Sequence, residues 1–138
     1  MQKIDQLNQA LIEFYDKMSS WEQSVVRETG YSLAQTHTIE VLGTHGPLRM
    51  KELAQKLGIT TGTLTVQIDK LVKAEVIERC AHPDDRRVIV VQLTEEGQNI
   101  HSIHNQLHLE LVKDLTQGFD QGQEEMLLSC LHKMNQEF

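Results

Sequence analysis

Apolar side chains recur along the first part of the chain at Ile4, Leu7, Leu11, Phe14, Met18, Trp21 and Val25. The alternating steps of three and four residues keep one narrow seam on a helix, the a/d spacing by which helices pack on helices. One helix over 2–28 is predicted, with Gly30 placed to close it. The seam suits packing within its own domain and packing against a second subunit equally well. A second helix is predicted over 33–44, with Leu33, His37, Val41 and Leu42 among its spaced positions and Gly43, Gly46 and Pro47 to break it. Residues 50–57 make a short third helix with Leu53, Ala54 and Leu57 on one face. Gly58 follows at once, where a left-handed residue closes a helix and starts a sharp turn. Thr60 or Thr61 can cap a fourth helix whose buried stripe is Leu64, Ile68, Leu71 and Val72. Its other face carries Thr61, Thr65, Gln67, Asp69 and Lys70.

The pattern then changes. Residues 76–80 and 87–93 are β-branched runs, and His82-Pro83-Asp84-Asp85-Arg86 between them supplies turn residues. A two-stranded hairpin with a polar, partly basic tip is predicted. Thr94-Glu95-Glu96-Gly97 caps a long helix over 95–116 through Ile100, Ile103, Leu107, Leu111 and Leu115, with acids in its first turn. Gly118 and Gly122 interrupt it, and a last helix covers 123–137 through Leu127, Leu131 and Met134. The expected order is α-α-α-α-β-β-α-α, mainly α with a small β-hairpin wing, and a short strand near residue 48 fits between helices two and three. Length suits one unit over 1–138, divided into a winged-helix lobe at 31–94 and a helical lobe formed by 1–30 and 95–138.

Composition narrows the classes. Apolar residues are 39% and charged residues 24%, so the chain folds, but only 4% is aromatic and the core rests on Leu, Ile, Val and Met. No stretch approaches the roughly 20 apolar residues of a membrane span. The N-terminal residues lack the apolar run of a signal peptide. A cytoplasmic protein without a membrane partner is expected. The net charge is −7. Residues 49–90 carry eight basic side chains against six acidic ones, a net of +2; the remainder carries five against fourteen, a net of −9. A polyanion should therefore meet the middle of the chain.

A short helix, a glycine turn, a polar-faced helix and a hairpin make a winged helix-turn-helix. The major groove of duplex DNA admits one helix, and its base edges offer donors, acceptors and thymine methyls. Thr60, Thr61, Thr63, Thr65, Val66, Gln67 and Lys70 are the candidates to face it, with Gly62 removing a side chain where backbone must come close. Arg86 and Arg87 on the wing would reach the adjacent minor groove, where negative potential attracts a guanidinium. Arg49 and Lys51 would hold phosphates and set register. A winged helix used only as a protein-interaction adaptor is the alternative.

Residues 30–97 resemble the MarR (multiple antibiotic resistance regulator) family. The likeness runs through Met50-Lys51-Glu52-Leu53-Ala54-Gln55-Lys56-Leu57-Gly58-Ile59, Thr63-Leu64-Thr65, Ile68-Asp69-Lys70-Leu71 and Val76-Ile77-Glu78-Arg79. Its most specific part is Pro83-Asp84-Asp85-Arg86-Arg87, followed by Val91-Gln92-Leu93-Thr94-Glu95-Glu96-Gly97. The family's D-x-R wing signature falls on Asp85 and Arg87, and the resemblance implies that Asp85 orients Arg87 into the minor groove. It also implies a homodimer held by the long terminal helices and a repressor acting on a pseudopalindromic operator. Two positions depart from the pattern: Glu75, where glycine is usual, so that this helix end is expected to close differently, and Val66, where many members have a basic residue. Within the family, His37-Thr38-Ile39, Thr61-Gly62-Thr63-Leu64-Thr65, the wing and the run Ile100–His108 resemble the repressors of fatty-acid biosynthesis genes. That branch implies a long-chain acyl effector, free or on an acyl carrier protein.

Seven histidines raise a second chemistry. His101, His104 and His108 fall within an arc of about 60° on one helix, which can present imidazoles to a metal ion. Trp21, His37, His104 and His108 are the candidates for an effector pocket. His37, His104 and His108 are the alternative metal set, the basis of a zinc-responsive reading, although a histidine cluster of this kind more often lines a polar interface. No cofactor is expected. Cys80 and Cys130 form no CxxC and have no activating partner in sequence. Without a GxSxG, P-loop or HExxH, nothing in the chain suggests an enzyme.

Overall fold

A computed structural model describes residues 2–138. In chain order it contains α1 (Lys3–Arg27), α2 (Leu33–His45), β1 (Leu48–Arg49), α3 (Met50–Leu57), α4 (Thr61–Lys73), β2 (Ile77–His82), β3 (Asp85–Leu93), α5 (Glu95–Thr116) and α6 (Gln121–Gln136). This is the expected mainly helical architecture, and the short strand anticipated near residue 48 is β1. The residues form two compact units, one reaching to Asn99 and one over Ile100–Phe138. No helix among the described residues is long and apolar enough to cross a membrane.

The core of the first unit comes from the stripes that the periodicity marked. Ile39 and Leu42 of α2, Leu53 of α3, Leu64, Ile68 and Leu71 of α4, and Val76, Ile77 and Val91 at the sheet are all buried. Each such side chain contributes about 1.5–3 kcal/mol relative to exposure. Val72, expected in the α4 stripe, is only half-buried. The sheet is antiparallel with order β1-β3-β2. Leu48 pairs with Val91, and Ile77 with Leu93.

Three local expectations are corrected. The hairpin tip is tighter than a five-residue turn, because His82 pairs with Asp85 across a bulge after Ala81 and leaves only Pro83 and Asp84 between the strands. The His82 Nδ1 accepts the Asp84 backbone N–H at 3.0 Å, which holds that tip. Gly43 does not break α2, which continues to His45. Gly122 lies inside α6, whose N-terminus is set two residues earlier by Asp120, its Oδ1 accepting the Gln123 N–H at 2.8 Å. A glycine inside a helix costs only about 1 kcal/mol, so a good cap or a packed neighbour can override it.

The ends of α3 and α4 position the functional face. At α3, left-handed Gly58 (φ +68°) lets the N–H of Gly58 reach the Gln55 carbonyl and that of Ile59 reach Ala54. The same reversed pair of bonds closes α4, from Glu75 to Val72 and from Val76 to Leu71, both at 3.0 Å. Glu75 has φ +63°. The departure from glycine at this position therefore does not alter how the helix ends; the glutamate adopts the conformation a glycine would supply.

In the second unit, α6 buries none of its side chains, and Val112, Leu127, Leu128 and Leu131 line a groove of about 350 Å³ between α5 and α6.

Candidate nucleic-acid interface

Thr60, not Thr61, caps α4: its Oγ1 accepts the Thr63 backbone N–H at 3.1 Å. The same hydroxyl donates to Thr63 Oγ1 at 3.0 Å. Thr65 donates its hydroxyl to the Thr61 carbonyl at 2.8 Å. Thr60, Thr61, Gly62, Thr63, Thr65, Val66 and Lys70 are all exposed, on the face of α4 away from its buried stripe. A Cβ added at Gly62 would meet nothing closer than Thr60 Oγ1 at 4.0 Å, so the space above it is open.

Gln67 stands apart from this group. It is half-buried, and its amide oxygen lies 3.3 Å from the hydroxyl of buried Thr38 on α2, which also donates to the Ala34 carbonyl at 2.9 Å. The side chain is thereby engaged between two helices. Asp69 also leaves the polar face: Arg79 of β2 holds its carboxylate at 2.6 Å, joining α4 to the base of the wing and neutralising an acid on the exposed side. An exposed pair of this kind adds under about 1 kcal/mol of stability, so its main effect here is on charge and orientation. Neither contact was legible in the sequence. Positions 29 and 10 residues apart meet only through tertiary packing, and no local spacing marks them.

The wing orders its arginine. Asp85 Oδ1 accepts from the Arg87 backbone N–H at 3.0 Å and from Nε at 3.1 Å, and Oδ2 accepts from Nη2 at 3.2 Å. The Arg87 side chain nonetheless remains 91% exposed. A guanidinium held by a carboxylate and still open to solvent is pre-set for a second anion. The Arg87 side chain and then its backbone N–H hold the Asp85 carboxyl below its ordinary range, with a smaller contribution from the charge of Arg49. Arg49, on β1 beside β3, thus belongs to the same electrostatic neighbourhood as the wing. Arg86 and Lys51 are exposed.

Residues 31–89 match the MarR family. That segment is similar to the MarR-family winged helix, and proteins of that family are DNA-binding transcription regulators, not enzymes. Over 133 residues the chain is 26% identical to the uncharacterized HTH-type transcriptional regulator YcgE of Bacillus subtilis, spanning 93% of this chain and 86% of that protein. Its fold is similar to a MarR family protein from Bacillus stearothermophilus, with a TM-score of 0.88 at 19% identity and coverage of 99% and 97%. It is also similar to Streptococcus pneumoniae FabT, solved in complex with DNA, with a TM-score of 0.84 at 25% identity and coverage of 97% and 96%.

The remaining candidates of this MarR-like chain lie elsewhere. Trp21 is half-buried on α1 and His37 is exposed on α2. On α5, His104 is buried and His108 half-buried, their Nε2 atoms 3.1 Å apart and their rings edge to face. Two imidazole nitrogens at that separation can share a proton, and the spacing also suits two ligands on one metal ion at about 2.0–2.1 Å each.

Proposed function

We propose that this chain is a homodimeric, sequence-specific DNA-binding repressor. Each subunit would place α4 in a major groove and Arg87 in the neighbouring minor groove. The observation that carries the reading is the wing: Asp85 orders Arg87 while leaving its guanidinium exposed, in the same compact unit as a polar recognition face. The two α4 helices would engage half-sites about 34–36 Å apart on a pseudopalindromic operator. Thr60, Thr61, Thr63, Thr65, Val66 and Lys70 would line the groove, and Arg49, Lys51 and Arg86 would meet phosphates. Gln67 would act mainly through Thr38, by fixing the pose of α4. The helical segments 1–30 and 95–138 would form the dimerisation lobe. The similarity to FabT, whose structure is with DNA, is in keeping with this.

The test is a gel-shift titration at several salt concentrations with an operator selected from a random duplex pool. Affinity should fall steeply with salt, and Arg87→Ala should cost about 1–3 kcal/mol. Unchanged affinity in Arg87→Ala removes the wing assignment, and no salt-sensitive retention on any duplex returns the protein-adaptor alternative. The resemblance to the fatty-acid branch points to a long-chain acyl effector, so an acyl thioester should release the operator. Zinc-controlled binding that His104→Ala abolishes would instead make the His104–His108 pair the sensor.

A further inference from the structure

Among the exposed residues of α4, Val66 is the one large aliphatic side chain, 56% exposed, whereas Leu64, Ile68 and Leu71 on the same helix are fully buried. At about 100° per residue, the direction opposite the centre of that buried stripe falls within about 15° of Val66. Gly62 and Lys70 flank it at about 40° on either side. Val66 therefore lies on the line along which the N-terminal half of α4 comes closest to anything docked on it, with Lys73 on the same line two turns further on. Gly62, one turn before Val66, contributes no side chain to hold a docked surface away.

Some of the neighbouring polar atoms are already engaged. The Thr65 hydroxyl donates to the Thr61 carbonyl, and the Thr60 hydroxyl donates to Thr63. Asp69 is held by Arg79. A lone exposed valine means nothing on an ordinary surface. At the line of closest approach it must be covered, and against the polar edges of guanine or cytosine it would strip water from groups it cannot pair. The major groove offers one apolar feature, the C5-methyl of a pyrimidine, present on thymine and also on 5-methylcytosine.

We propose that Val66 is a specificity-determining residue that packs its isopropyl group against the C5-methyl of a thymine in each half-site. The proposal rests on the DNA-binding reading above and names the base chemistry that the same face selects.

The experiment uses full-length wild-type protein and the operator selected from a random pool. Each thymine is replaced in turn by uracil, symmetrically in the two half-sites, which deletes one methyl and leaves base pairing unchanged. At one thymine per half-site the loss should be about fourfold per methyl, or roughly 15-fold for both, the worth of burying one such group. Val66→Ala, at an exposed helical position where alanine is well tolerated, should bind the thymine and uracil duplexes equally. 5-Methylcytosine against cytosine at the same position should restore part of the wild-type preference, which assigns the effect to the methyl rather than to the O4 edge. Wild-type protein indifferent to uracil at every position overturns the proposal, as does a Val66→Ala variant that keeps the full discrimination. Binding that is salt-sensitive yet methyl-blind sinks this inference alone, whereas no duplex binding at all sinks the reading beneath it as well.

Discussion

At the scale of single residues, two side chains hold conformations that can be tested directly. Glu75 sits at φ +63°, in the region where a Cβ crowds the following carbonyl. Its backbone is fixed there by its own N–H bond to the Val72 carbonyl, by the bond of the next residue, Val76, to the Leu71 carbonyl, and by the Thr94 hydroxyl, which donates to the Glu75 carbonyl at 2.6 Å. Glu75→Gly should therefore stabilise the fold by up to about 1 kcal/mol, because relief of the left-handed strain exceeds the entropy that glycine gains in the unfolded chain. Urea denaturation with an unchanged m-value and a higher midpoint is the expected result; a lower midpoint contradicts it. Asp85 is the second case. Its carboxyl is held low in the folded state, first by the Arg87 side chain and then by the Arg87 N–H. A depressed acid contributes its share above its unfolded pKa, near 3.9, and loses it as pH falls through the lower folded value. The Asp85–Arg87 pair should thus be intact from pH 8 to 5 and weaken only in stronger acid. Carboxyl-detected NMR should show Asp85 titrating below the ordinary aspartate value in the wild type and returning towards it in Arg87→Ala. An ordinary value in the wild type would mean the ion pair is not formed in solution.

At the scale of elements, what was legible in the sequence is what local spacing controls. The α4 stripe of Leu64, Ile68 and Leu71, the Gly58 turn and the β-branched strands follow from periodicity and backbone freedom within a few residues. The tip of the wing was misread because its length depends on a bulge at Ala81 and on His82 pairing with Asp85, which composition does not encode. Gly43 and Gly122 were misread because their helices are set by capping and packing that outweigh one glycine. For the interface, the exposed α4 residues and the Asp85–Arg87 pair could be placed from sequence, but the Thr38–Gln67 and Asp69–Arg79 contacts could not. Two glycines then separate a structural role from a functional one. At Gly97 a Cβ would stand 2.2 Å from the Val76 carbonyl oxygen and 3.0 Å from the Leu93 Cβ, against main chain that cannot yield easily. Gly97→Ala should cost about 1–3 kcal/mol by overpacking. At Gly62 the space is open, so Gly62→Ala should leave stability unchanged or raise it by up to about 1 kcal/mol. The same methyl would lie on the proposed docking face and should lower operator affinity. Thermal melts paired with gel-shift titrations test both at once. A Gly62→Ala protein that is more stable and binds equally well would show that backbone approach is not why glycine stands there.

At the scale of the molecule, charge and exposed apolar surface point the same way. A segment over residues 49–90 of only +2 attached to a remainder of −9 gives one chain little electrostatic hold on DNA. The second copy proposed above would make up the difference, since linking two weak half-site contacts raises affinity by about 10²–10⁴ through effective concentration. The surface for it is available in each unit separately. Along α1, Ile4, Leu7, Leu11 and Phe14 of the predicted seam are exposed, and the α5–α6 groove presents Val112, Leu128 and Leu131. Apolar rows of this extent on a water-facing helix need a partner, and the 3-4 spacing of the α1 seam suits another helix. Because Leu131 is 42% exposed in the single chain, Leu131→Asp should leave the fold of that chain intact while placing a charge in the proposed contact. Sedimentation equilibrium should find a dimer for the wild type and a monomer for the variant, with equal helical content by circular dichroism. Affinity for a single half-site should be unchanged, and affinity for the two-half-site operator should fall by about two orders of magnitude or more. A variant that stays dimeric and binds both duplexes as the wild type does would place the subunit contact elsewhere. A wild-type monomer that still binds the full operator tightly would remove the need for a second copy altogether.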